Sequence, residues 1–131
     1  MIEAIVCKSL DYKDSSKILY LYTNEGVKSV VARGVKKLNS INRFLSQVPN
    51  VIKYEATKGS FPTLKEGELV DEFENIELDL ETYAFVSHIL ELTVSVIDEE
   101  NDHEKMFGFL KRILISFIDR SGKLNFLQKF Q

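Results

Sequence analysis

The chain holds a single cysteine, Cys7, among its 131 residues, so it can close no internal disulfide and offers no C-x-x-C half-site for zinc. Stability has to come from packing. Long apolar runs are missing too: the longest uninterrupted ones are a few residues, far short of the ~20 that span a bilayer. The start Met1-Ile2-Glu3 carries an acid where a secretory signal has a basic region. These absences predict a cytoplasmic protein with no membrane contact. Signatures of catalysis are also lacking. His88 and His103 lie too far apart for an H-E-x-x-H pair and neither has a Ser or Cys partner at a recognised spacing. There is no G-x-x-x-x-G-K-[ST] or G-x-G-x-x-G loop, and the carboxylates fall in surface runs. The acidic run Asp98–Glu104 lacks the D-x-D-x-D-G spacing of a calcium loop and reads as a solvated connection that favours the N-terminus of the following helix. The chain therefore reads as a non-enzyme with no cofactor and no metal.

What is present is a globular composition with a hidden asymmetry. At 44% hydrophobic and 28% charged, a chain of this length buries roughly two-thirds of its unfolded surface in one or two small units. Its net charge of −3 looks unremarkable until the chain is divided. Residues 1–65 carry 11 Lys+Arg against 5 Asp+Glu, a net +6, whereas residues 66–131 carry 6 against 15, a net −9. A basic half joined to an acidic half suggests that one part of the molecule faces a polyanion.

Periodicity divides the chain at nearly the same place. Short β-branched and aromatic runs at Ile2–Lys8, Lys17–Thr23, Val27–Gly34, Val48–Thr57 and Phe61–Val70 predict five strands, with turns at 11–15, 24–26 and 58–60 and a longer excursion over 35–47. Both faces of the second run are apolar, as in a sheet that curls and covers itself. A longer insertion between the third and fourth strands fits a five-stranded OB-type barrel, with a small sandwich or an SH3-like barrel as rivals. After Asp71 the period becomes helical. Leu80, Tyr83, Ala84, Leu90, Val94 and Ile97 form one stripe behind an Asp79 cap, with Phe85, Ile89, Leu92 and Val96 beside it. His88 reads as a packed helix histidine. A second helix is predicted after Asn101, in capping-box spacing with Glu104, to end near Asp119 and Gly122, and Leu124–Gln131 reads as the start of a third. The expectation is an α+β protein: a five-stranded barrel over 1–73, then a small helical region over 74–131.

The strongest functional feature is the stretch Val30–Arg43, where Arg33, Lys36, Lys37 and Arg43 follow one another with no acid between them. Arg forks onto phosphate oxygens and Lys acts as a mobile point charge, so the mixture suits a sugar-phosphate backbone. Lys28 joins this candidate set, with Gly34 permitting close approach and Lys17 at its periphery. Tyr12, Tyr20, Tyr22, Tyr54 and Phe61 either stack bases, Tyr20 and Tyr22 being the candidates, or fill the barrel; strand aromatics are more often core than platform.

Several of these segments together resemble a known family, the bacterial RecO recombination-mediator and DNA-repair proteins. They are Ile2–Lys8, Asp11-Tyr12-Lys13-Asp14-Ser15-Ser16-Lys17-Ile18-Leu19, Thr23-Asn24-Glu25-Gly26, Val30-Val31-Ala32-Arg33-Gly34-Val35-Lys36-Lys37, Glu68-Leu69-Val70-Asp71-Glu72-Phe73 and Leu80-Glu81-Thr82-Tyr83-Ala84. The resemblance implies an N-terminal OB fold followed by a helical domain, and a bacterial, nucleoid-associated protein. It implies binding of single- and double-stranded DNA, strand annealing, engagement of single-strand-binding protein, and loading of RecA with the help of RecR. Many members are longer and carry a cysteine-ligated zinc element that this sequence lacks, so the chain reads as a short variant or an N-terminal fragment. The alternative is a protein-interaction module, docking a partner through the apolar face of Leu124, Leu127 and Phe130.

Overall fold

A computed structural model describes residues 1–38, 40–71, 80–98 and 100–115. Within them the element order is β1 (Ile2–Tyr12), β2 (Ser16–Thr23), β3 (Gly26–Ala32), α1 (Ile41–Leu45), β4 (Val51–Ala56), β5 (Leu64–Asp71), α2 (Leu80–Val96) and a helix α3 over residues 103–115. The strands form one sheet in the order β3-β2-β1-β4-β5 with antiparallel ladders throughout. The molecule is α+β, as predicted, with the two longer helices after the sheet and the short α1 set between β3 and β4. Its sheet curls until the two ends touch: an isolated parallel bridge joins Val31 to Thr63, and the Val31 N–H donates to the Pro62 carbonyl at 2.9 Å. That single bridge completes no ladder, so the OB-type sheet is bent into a barrel shape but left open along the β3–β5 seam.

Side-chain alternation along the strands builds two cores instead of one. Ala4, Val6, Leu19, Leu21, Val30, Ala32, Ile52 and Leu64 point inward and fill the curl. Ile5, Cys7, Tyr22 and Val51 point outward and are covered by Val86 and Leu90 of α2 with Phe107 and Leu114 from α3. The doubly apolar character of β2 thus has a different cause from the one predicted. One face is the barrel interior, and the other lies beneath the helices. On α2 it is Val86 and Leu90 that are buried, while Phe85, Ile89, Leu92 and Val96 remain exposed.

Several boundaries differ from the periodic reading, each for a local reason. β1 runs on to Tyr12 because Asp11 and Tyr12 pair with Lys17 and Ser16, leaving a tight turn in which Lys13 adopts a left-handed φ of 52°. β3 stops at Ala32, and two residues on Gly34 turns the chain at φ 67°, so that the Val35 N–H reaches the Ser15 carbonyl at 2.9 Å. β4 begins at Val51 because Pro49 has no N–H and the Asn50 N–H donates to the Gln47 carbonyl in a turn. The 35–47 excursion contains α1, capped by Ser40, whose hydroxyl accepts from the Asn42 N–H at 3.2 Å. At the start of α3, Asp102 rather than Asn101 supplies the cap: its carboxylate accepts from the Lys105 N–H at 3.3 Å, while the Asn101 side chain accepts from the Asp98 N–H. His88 is exposed, and it is His103 that packs, against Tyr22. The predicted Asp79 cap, the end near Asp119 and Gly122, and the Leu124–Gln131 segment with Leu127 and Phe130 fall outside the described residues.

Candidate nucleic-acid interface

The β1–β2 hairpin extends beyond the filled part of the barrel, and its two faces carry different chemistry. Ser9 pairs with Leu19 and Asp11 with Lys17, so these four share the inward face. Past the core, that face turns into the wall of an open groove of about 540 Å³. Lys17 from β2, Lys36 from the loop after β3 and Arg43 from α1 all line it, together with Asp11, Ser46 and Tyr83. Three of the predicted cations, separated by up to 26 positions in sequence, are therefore brought to one concavity.

Hydrogen bonds fix this arrangement from both sides. The Asn42 side chain donates to the Arg33 carbonyl at 2.7 Å, and the Asn50 side chain donates to the Phe44 carbonyl at 2.9 Å, which ties α1 at one end to the basic loop and at the other to the turn before β4. Leu45, fully buried, anchors the helix in the barrel core. The backbone of Arg43, two residues earlier, is thereby fixed beside the groove, and its exposed side chain lines it. Inside the groove the Ser46 residue is 3% exposed, and its hydroxyl has no partner among the described residues; the Ser9 hydroxyl is likewise unpartnered. A buried hydroxyl without a partner costs free energy unless a ligand or water supplies one, and both oxygens lie beneath the groove surface. The groove lining carries three cations, two unpartnered serine hydroxyls, the Tyr83 phenol, the Gln47 amide and one carboxylate.

The other predicted residues are distributed differently. Arg33 and Lys37 are exposed on the loop that leads into the groove without lining it, and Gly34 makes the turn between them. Lys28 lines a separate opening of about 840 Å³ with Glu25, Glu55, Lys58 and Tyr54. Tyr20 lies on the outward face beneath Lys8, whose ammonium stands 6.0 Å from the ring centroid and 3.0 Å from Glu91 of α2. Tyr22 is corrected outright. Its ring is 0% exposed, packed edge-on against His103 and Phe107, with its hydroxyl 3.3 Å from His103 Nδ1, so it offers no surface to a base. Desolvation pushes the Tyr22 and Tyr54 phenols above their ordinary range, as expected of core tyrosines. Sequence reasoning missed Asp11, Ser46 and Tyr83, which carry no spacing signal because three different elements deliver them.

A family model described as "Recombination protein O N terminal" matches residues 1–73. Among curated proteins, the DNA repair protein RecO of Shouchella clausii is 34% identical over 110 residues, covering 82% of this chain and 43% of that protein. Proteins of the same description from Caldanaerobacter subterraneus subsp. tengcongensis and Bacillus cytotoxicus are 33% and 31% identical, each covering 86% of this chain and 46% of its relative. The chain thus spans less than half the length of the curated relatives it matches.

Proposed function

This chain belongs to the RecO family of recombination proteins, and from that premise we propose that it acts in DNA repair by holding a DNA backbone in the Lys17–Lys36–Arg43 groove. The observation that carries the reading is the convergence of those three cations, from three elements, on a concavity that also holds the unpartnered Ser46 hydroxyl. Phosphate oxygens accept from ammonium, guanidinium and hydroxyl donors alike, and contacts of this kind position a strand without reading its sequence. Arg33 and Lys37 extend the field along the approach to the groove. Strand annealing and the loading of RecA with RecR onto DNA covered by single-strand-binding protein are the steps such a surface serves in this proposal. Asp11 keeps the groove from being a uniform cationic trap, which favours release as well as capture.

The test is equilibrium binding of a labelled oligonucleotide at several salt concentrations. With four or five phosphates neutralised, log affinity falls against log salt with a slope of about −2.8 to −3.5 for a single strand. Lys36→Glu combined with Arg43→Glu abolishes most of that binding in a protein that remains folded, since both side chains are exposed. Wild-type affinity in the double variant overturns the proposal.

A further inference from the structure

The outward face of the same hairpin carries a feature that the groove does not use. Leu10, Tyr12 and Ile18 share that face by register, opposite to Asp11 and Lys17. Beside Tyr12 stands Phe61, contributed by the β4–β5 connection, with ring centroids 5.6 Å apart and planes tilted by 50°. Phe61 is 56% exposed, whereas Tyr12 is only half-buried and has the Lys13 ammonium 5.3 Å from its centroid. One ring is thus presented to solvent, a second buttresses it, and a cation stands over the buttress.

The connection that displays Phe61 is held in shape. The Val31 N–H donates to the Pro62 carbonyl, the Thr57 N–H donates to the Thr63 carbonyl at 2.9 Å, and the Thr63 N–H donates to the Thr57 hydroxyl at 3.0 Å. Gly59 at φ 130° makes the bend, with open space where a Cβ would point. Phe61 is therefore placed by a pinned turn, immediately before the only seam where the sheet closes on itself among the described residues. Large exposed rings on rigid backbone lose little conformational entropy when something stacks on them.

We propose that Phe61, buttressed by Tyr12, is a base-stacking subsite for single-stranded DNA. The inference rests on the groove reading above and deepens it by assigning strand selectivity. Phosphates alone are offered by single strands and duplexes equally, but only an unpaired base can lay its π-face on a ring. The cation over Tyr12 supplies charge complementarity to the adjoining phosphate, which an apolar peptide would not match. The hairpin then engages one strand from two sides, backbone on its inward face and base on its outward face.

The experiment uses the full chain, a labelled oligo-dT strand and a mixed-sequence duplex of the same length, with affinity read by anisotropy. Phe61→Ala is expected to weaken single-strand binding about tenfold while leaving duplex affinity and the salt slope as they were, because it removes a stacked base and no phosphate contact. Phe61→Trp keeps a ring, retains single-strand affinity and becomes the only tryptophan in a chain that has none, so its emission should be quenched on oligo-dT addition. Unchanged single-strand affinity in Phe61→Ala, an equal loss for strand and duplex, or an unquenched Phe61→Trp overturns the subsite. Failure of the groove reading has a separate sign: Lys36→Glu with Arg43→Glu then binds both ligands normally, whatever the Phe61 variants do.

Discussion

Glycine 26 and histidine 103 meet where β2 turns into β3, and the contact explains two residues that composition alone leaves idle. Gly26 has φ 107°, a conformation side chains rarely adopt, and an added Cβ would lie 3.2 Å from His103 Nε2. Thr23 completes the turn, its hydroxyl donating to the Gly26 carbonyl at 2.8 Å and accepting from the Glu25 N–H at 3.1 Å. Gly26→Ala is expected to destabilise the protein by about 1–3 kcal/mol, measured as a lower urea midpoint with little change in slope. Cys7 makes a second residue-scale prediction. Burial raises its thiol from 9.0 to about 12, so it stays protonated in the fold while the unfolded chain ionises near its ordinary value. The linkage has one sign: the unfolded state binds fewer protons between those two values, so Cys7 costs stability as pH rises from about 9 to about 12. Native protein should resist thiol reagents at neutral pH, and Cys7→Ala should flatten part of the alkaline loss of stability seen by denaturant titration. The cysteine and its lack of partners were legible in the sequence. Its inertness was not, because burial under α2 and α3 is a property of the packed molecule.

At the scale of elements, α1 is the piece that periodicity could not find. Five residues are too few to show a helical stripe, and Ile41 and Phe44 are exposed at 55% and 37%, so hydrophobicity here points in no consistent direction. Its role is mechanical. Leu45 plugs the barrel against Gly67 of β5, where a Cβ would come within 2.6 Å of Leu45 Cδ1, and Arg43 is carried to the groove as a result. Leu45→Ala should cost about 2–5 kcal/mol of stability, because it empties a fully buried position that the neighbouring backbone cannot refill. Asn42→Ala should cost less, about 0.5–1.5 kcal/mol, because the Arg33 carbonyl it leaves without a side-chain donor is exposed and water can take the donor's place. It should also weaken oligonucleotide binding by loosening Arg43, with the salt slope reduced rather than abolished. The Tyr20 and Tyr22 pair teaches a related lesson. Both lie on one face of β2, yet Tyr22 sits where α3 crosses and Tyr20 sits beyond that crossing, a distinction no strand pattern encodes.

Across the whole molecule, two cores share one sheet, and the helices are held to its outer face chiefly by apolar contact. Lys8–Glu91 and Lys111–Glu3 also tie β1 to α2 and α3, but both pairs are partly solvated. A double-mutant cycle on Lys8 and Glu91 should return no more than about 1 kcal/mol, whereas Phe107→Ala should cost about 3–5 kcal/mol by thermal or urea unfolding, since Phe107 is buried against Tyr22. Among the described residues no helix is long and apolar enough to cross a membrane. What the sequence determined by itself is what depends on local pattern: five strands before the two longer helices, the α+β class, the basic stretch from Arg33 to Arg43 and the family resemblance. Each is written in residue type and spacing along the chain, and survives errors of a few residues at every boundary. What only the tertiary structure decided is which residues share a surface. Curling the sheet brought Lys17 to Lys36 and Arg43, sent Lys28 to a different opening, buried Tyr22 and set Phe61 beside Tyr12. The physical reason is that register and closure are set by the summed packing of two cores, a non-local quantity for which adjacent residues carry no code.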